Sequence, residues 1–102
     1  MKIIANIQLK QSSEGGRDNP VYSGYRPTFR WEGNRISDCV ITILQGHSIK
    51  PGEQGKVEIK ILHPKKIEGI TTVDHFIITE GSREVATGSI SEIQLHPFKI
   101  GD

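Results

Sequence analysis

The stretch VDHFIITEGSREVATGSISEIQL, residues 73–95, decides the fold. Residues 73–80 and 83–95 each read as extended segments, rich in Val, Ile, Thr and Phe, which pack well on a pleated surface. Between them stands Gly81-Ser82, a two-residue connection with glycine first, which favours a type II′ turn. The two segments are therefore expected to pair as antiparallel neighbours.

The same period of two recurs outward from this hairpin, and no stretch shows helical spacing. Residues 2–10 put Ile3, Ala5, Ile7 and Leu9 on one face and Lys2, Asn6, Gln8 and Lys10 on the other, as in a half-buried strand. In KVEIKIL, Val57, Ile59 and Ile61 alternate with Lys56, Glu58 and Lys60. ISDCVITIL, residues 36–44, is more evenly apolar and is expected to be a strand covered on both sides. Pro51-Gly52 reads as a type II turn, and His63-Pro64 ends its strand because proline donates no ladder hydrogen bond. About six short strands without a helix predict an all-β domain, either a small closed barrel or a sandwich.

Size and composition narrow the function classes. A chain of 102 residues suits a single domain over 1–102, with no room for a second of catalytic proportions. Charged residues make up 25% of it but the net charge is only +1, so any polyanion has to be held by a local patch. No apolar run approaches the roughly 20 residues that cross a bilayer, so no membrane partner is expected. One cysteine, Cys39, permits no internal disulfide and fits a reducing cytoplasm.

Few residues are grouped for chemistry. No glycine-rich run ends in Lys-Ser or Lys-Thr, so a phosphate-binding P-loop is not expected. His47, His63, His75 and His96 have no metal-ligand spacing, and Cys39 in CVITIL reads as a small core residue rather than a nucleophile. Asp18, Asp38, Glu58, Glu80 and Glu92 form no recognisable acid–base pair. No catalytic residue, metal or cofactor is therefore assigned. The suggestive segment is residues 14–31, where Arg17, Arg26 and Arg30, with Arg35 just beyond, interleave with Tyr22, Tyr25, Phe29 and Trp31. Guanidinium groups grip phosphates and aromatic rings offer stacking faces. Equally, the aromatics would cap a barrel while the arginines pair with Glu14, Asp18 and Glu32. Alternation puts Tyr25, Phe29 and Trp31 on one side of this run and Arg26, Thr28 and Arg30 on the other.

EGGR, GYRPTF, SIKPGE, the strand end ILHP and FIITEGSREVATGSI occur in that order over roughly residues 3–93. This pattern resembles the third, C-terminal domain of bacterial elongation factor Tu. The resemblance implies a six-stranded antiparallel closed β-barrel. It also implies a binding module, since in that family the domain helps hold the T stem of aminoacyl-tRNA, meets the nucleotide-exchange factor and packs on the GTPase domain. The matched positions are Gly15-Gly16-Arg17, Gly24-Tyr25-Arg26-Pro27 and Glu80-Gly81-Ser82-Arg83, with Glu80 aligned to an acid near the tRNA backbone. Thr28 stands where the family has a tRNA-contacting glutamine, Asp18-Asn19 replace histidine-threonine, and EGNRISD replaces a threonine-rich turn.

These readings make Arg17, Tyr25, Arg26, Arg30, Glu80 and Arg83 the candidate contacts to RNA or a protein partner. The expected function is that of a non-catalytic module lacking the GTPase domain, which binds tRNA or another RNA. The alternative is a module that associates with itself as a homo-oligomer, or with a separate protein such as a GTPase or exchange factor. Met1 opening directly into a strand, and the tail HPFKIGD running past the family's usual end, favour a small complete protein.

Overall fold

The structure, a computed structural model, describes residues 1–32 and 35–95. The tail and His96 lie outside the described residues, as do Gly33 and Asn34 of the turn after Trp31. β1 (Lys2–Leu9) pairs antiparallel with β6 (Gln54–Ile61) on one side and β8 (Arg83–Gln94) on the other. β8 pairs with β7 (His75–Glu80), β7 with β3 (Thr28–Trp31), β3 with β4 (Arg35–Ile43), and β4 returns to β6. Six antiparallel strands thereby close a barrel, and the chain is all-β. Closure leaves these strands no open edge.

Alternation sends one face of every strand inward. Ile3, Ala5, Ile7 and Leu9 are buried, as are Val57, Ile59 and Ile61. Phe29 and Phe76 stack with centroids 4.6 Å apart in the interior. Phe76 fits because its cross-strand partner is Gly88: a Cβ there would lie 2.2 Å from the ring's Cζ. At the hairpin, Glu80 pairs with Arg83 and Gly81 takes φ +63°, the left-handed value a glycine-first turn needs. The expected turn at residues 50–53 also forms, with the Glu53 amide donating to Lys50 O at 2.9 Å.

The structure departs from the sequence reading in three places. β4 is not covered on both sides: Ser37, Cys39, Ile41 and Ile43 point in, while Asp38, Thr42 and Leu44 are exposed. A run of β-branched residues reports strand propensity, and in an antiparallel barrel only one face of a strand is inside. The arginine-rich run is a strand only from Thr28, because Pro27 has no amide to give; Tyr25 makes one isolated bridge to Ile41. Two strands of two residues each, β2 (Val21–Tyr22) and β5 (Ser48–Ile49), form a separate small sheet too short to show alternation. Tyr22 on it is 59% exposed, so it does not cap the barrel as its neighbours do.

Candidate binding site at one end of the barrel

Glu80 follows Phe76 and Ile78 on the inward parity of β7, but at the strand's last residue, where the interior opens. Tyr25 lies just ahead of β3, the strand next to β7, and is paired with inward-facing Ile41 of β4. A carboxylate leaving the inner face loses water and requires donors in exchange. Three side chains supply them. The Tyr25 hydroxyl and Arg17 Nη1 both donate short bonds to Glu80 Oε2, and Arg83 Nη2 donates to Oε1 at 2.9 Å.

Arg17 is delivered by the loop after β1. A 3-10 turn (Ser12–Glu14) folds the chain back so that the Gly16 amide donates to Gln11 O at 3.1 Å. A Cβ on Gly16 would sit 2.5 Å from Lys10 O, so a side chain there would push Arg17 off the barrel end. The guanidinium then lies over the Tyr25 ring, 4.7 Å from its centroid, and its Nε and Nη2 donate to Asn19 O at 3.1 Å and Pro20 O at 3.3 Å. Every nitrogen of this fork is engaged, which makes Arg17 the pin that holds residues 17–20 across the barrel mouth.

The electrostatics follow from this packing. Desolvation alone would raise the Glu80 pKa, yet hydrogen bonds from Tyr25, Arg17 and Arg83 outweigh it and hold the carboxyl below its ordinary value. Desolvation, then Glu80, push the Tyr25 hydroxyl well above the usual phenol range. For Arg17, desolvation is overcome by the Glu80 bond and charge, so the guanidinium is raised and stays charged.

Four of the six residues singled out from sequence, Arg17, Tyr25, Glu80 and Arg83, thus meet in one cluster. Arg26 adjoins it through Tyr25 and is exposed. Arg30 is elsewhere: it faces outward from β3 opposite Ile77, about 10 Å along β7 from Glu80. Arg35 is also separate, donating to Glu68 O at 2.9 Å and lying over Trp31. Sequence reasoning did not foresee that Arg17 would be bound on every nitrogen, since nothing local signals a partner 63 positions away.

The other chemical groups are dispersed. Cys39 is buried, and desolvation together with the Asp38 charge pushes its thiol up to about 12, where it is a core residue and not a nucleophile. His47, His63 and His75 are exposed, and His63 Nε2 lies 3.9 Å from Asp38 Oδ2. Among the described residues no three His, Cys, Asp or Glu side chains group to hold a metal ion, and no helix is long and apolar enough to cross a membrane.

Residues 1–94 match the family described as the elongation factor Tu C-terminal domain. The chain belongs to that family. The match spans the whole described barrel, including the loop that carries Arg17 and the hairpin that carries Glu80 and Arg83. As a member of this family the chain is a translation-factor-like barrel module.

Proposed function

We propose that the Glu80 end of the barrel binds RNA, tRNA in the first instance, through the phosphate backbone, as a module without catalysis of its own that acts in the cytoplasm. The observation that carries this reading is the division of labour among the cations there. Arg17 is fixed internally, whereas Arg83 keeps 51% of its side chain exposed and Arg26, next to Tyr25 in the chain, is exposed as well. Arg26 and Arg83 supply the phosphate contacts, and the Glu80–Arg17–Tyr25 group sets their spacing. Such contacts give salt-sensitive affinity and no base reading.

Titration of labelled tRNA at low salt tests this. Binding is expected to weaken steeply as salt rises, and Arg83→Gln is expected to weaken it by about fivefold and reduce the salt slope by about one. No binding at tens of micromolar, or binding indifferent to salt, overturns the RNA reading.

A second reading rests on Tyr22 and Leu44, which are 59% and 43% exposed. Apolar side chains left open on a small barrel favour self-association or a separate protein such as a GTPase or exchange factor. Sedimentation equilibrium at high concentration is the test of the homo-oligomer; a strict monomer removes it.

A further inference from the structure

We propose that the outer wall of the barrel carries a second site, which takes a sugar phosphate. A groove with a volume of about 730 Å³ runs across this wall, lined chiefly by Asn6, Gln8, Arg30, His75, Thr87 and Ser89. Strand register builds it as two adjacent rows. In the first, Arg30 stands opposite Ile77, Ile77 opposite Thr87, and Thr87 opposite Gln8. In the second, His75 stands opposite Ser89, and Ser89 opposite Asn6. With strands about 4.8 Å apart, a row across four of them is roughly 14 Å long. Ile77, Thr87 and Ser89 make its middle, while the longer side chains of Gln8, Arg30 and His75 stand on either side.

The lining selects the ligand class. Serine, threonine and carboxamide side chains both donate and accept, which suits the hydroxyls of a polyol. Gln8 is anchored for this, its Nε2 donating to Leu9 O at 3.1 Å and Gly52 O at 2.9 Å, which leaves Oε1 as an acceptor. At the other side Arg30 offers a guanidinium fork and His75 an imidazole donor, a match for phosphate. Glu32 also lines this rim and is the acid a phosphate has to compete with. Phe76 beneath the groove is only 2% exposed, so its ring is not open for a base to stack on. The exposed large apolar residues Tyr22, Leu44, Val73 and Leu95 are all outside the lining, and Ile77, half-buried, is the apolar side chain on the outer face within it. The recognised unit is the sugar and its phosphate, either as a free small molecule or as a ribose-phosphate of an RNA chain. This inference does not depend on the site at the barrel end.

The experiment is an NMR titration of the full ¹⁵N-labelled chain with ribose 5-phosphate, ribose, inorganic phosphate and single-stranded hexauridylate. Saturable shifts are expected at the amides of His75, Thr87 and Ser89 and at the carboxamides of Asn6 and Gln8, with ribose 5-phosphate binding at least about fivefold tighter than ribose or phosphate alone. Arg30→Gln is expected to weaken it by about tenfold, and Glu32→Gln to tighten it severalfold. Thr87→Val combined with Ser89→Ala is expected to abolish the preference over inorganic phosphate. If hexauridylate also shifts the groove and is weakened by these variants, the ligand's source is RNA; if only ribose 5-phosphate does, it is a free sugar phosphate. Shifts confined to the surroundings of Arg26 and Arg83 overturn the groove site while leaving the barrel-end reading intact. Equal affinity for ribose 5-phosphate and phosphate overturns it, and so does concentration-dependent broadening of the groove signals without ligand, which would mark self-association through this wall.

Discussion

The two ends of β7 treat polar side chains in opposite ways. At the Glu80 end, charges leave the inner face of the barrel and are bound to one another: one carboxylate takes donors from Tyr25, Arg17 and Arg83. At the His75 end, the residues lining the wall groove leave the outer face, and His75, Thr87 and Ser89 are exposed to water. Residue type does not separate the two regions, since each has its arginine. Strand parity does: an inward position such as that of Glu80 deprives a charge of solvent and forces it to find partners, whereas an outward side chain keeps water within reach.

The largest expected effect lies behind the groove, where inner and outer faces share one strand. Gly88→Val places carbons where the Phe76 ring now sits, 2.2 Å from a Cβ, and the ring is itself held by its stack on Phe29. Overpacking at a site that cannot give way is expected to cost about 3 kcal/mol, read as a fall in thermal midpoint. An unchanged midpoint would mean that the wall is softer than its packing.

Glu80→Gln is next. Glu80 and Arg17 keep 27% and 21% of their side chains exposed, so the pair is shielded but not dry. Loss of the charge is expected to cost about 1–2 kcal/mol at neutral pH. The sign with pH follows from a carboxyl held low in the folded state: its contribution is whole above the ordinary value of 4.5 and is lost as pH falls through the folded value. Wild type and variant should therefore differ in urea denaturation at pH 7 and converge in acid. A constant difference at all pH values would break the assignment of Glu80 as the charged hub.

Much of the barrel is legible in the sequence. Ile3-Ala5-Ile7-Leu9 and Val57-Ile59-Ile61 state their faces outright, and Gly81-Ser82 fixes the neighbour relation of β7 and β8. The candidate site is legible only in part. Arg17, Tyr25, Glu80 and Arg83 stand out through the family resemblance, but their mutual bonding depends on a closure that joins positions 17, 25 and 80 from three separate elements. The wall groove has no local signal. Asn6, Gln8, Thr87 and Ser89 are the ordinary polar half of alternating strands, and only the register of β1 against β8 and β8 against β7 sets them side by side.

A smaller effect separates the hub's hydroxyl from its ring. Tyr25→Phe removes one donor to Glu80 and keeps the aromatic face 4.7 Å beneath the Arg17 guanidinium. It is expected to cost about 0.5–1.5 kcal/mol, the usual worth of a hydrogen bond to a partly shielded acceptor, and to raise the pH at which Glu80 takes up its proton. An acid-side stability profile identical to wild type would reassign the low carboxyl to the two arginines alone.

The smallest effect belongs to the wall. Ser89→Ala deletes an exposed hydroxyl whose cross-strand neighbours are His75 and Asn6, and on the outer face water serves that hydroxyl in the folded chain much as in the unfolded one. Stability is therefore expected to stay within about 0.5 kcal/mol of wild type in urea denaturation. The contrast with Glu80→Gln is what makes the measurement useful. Both substitutions remove one polar function next to other polar groups, so if the hydroxyl also proved costly, the groove residues would have to be bound to one another as the hub residues are. A neutral result instead means that the Ser89 hydroxyl owes nothing to His75 and Asn6 beside it, the condition under which a ligand can take it without first breaking bonds.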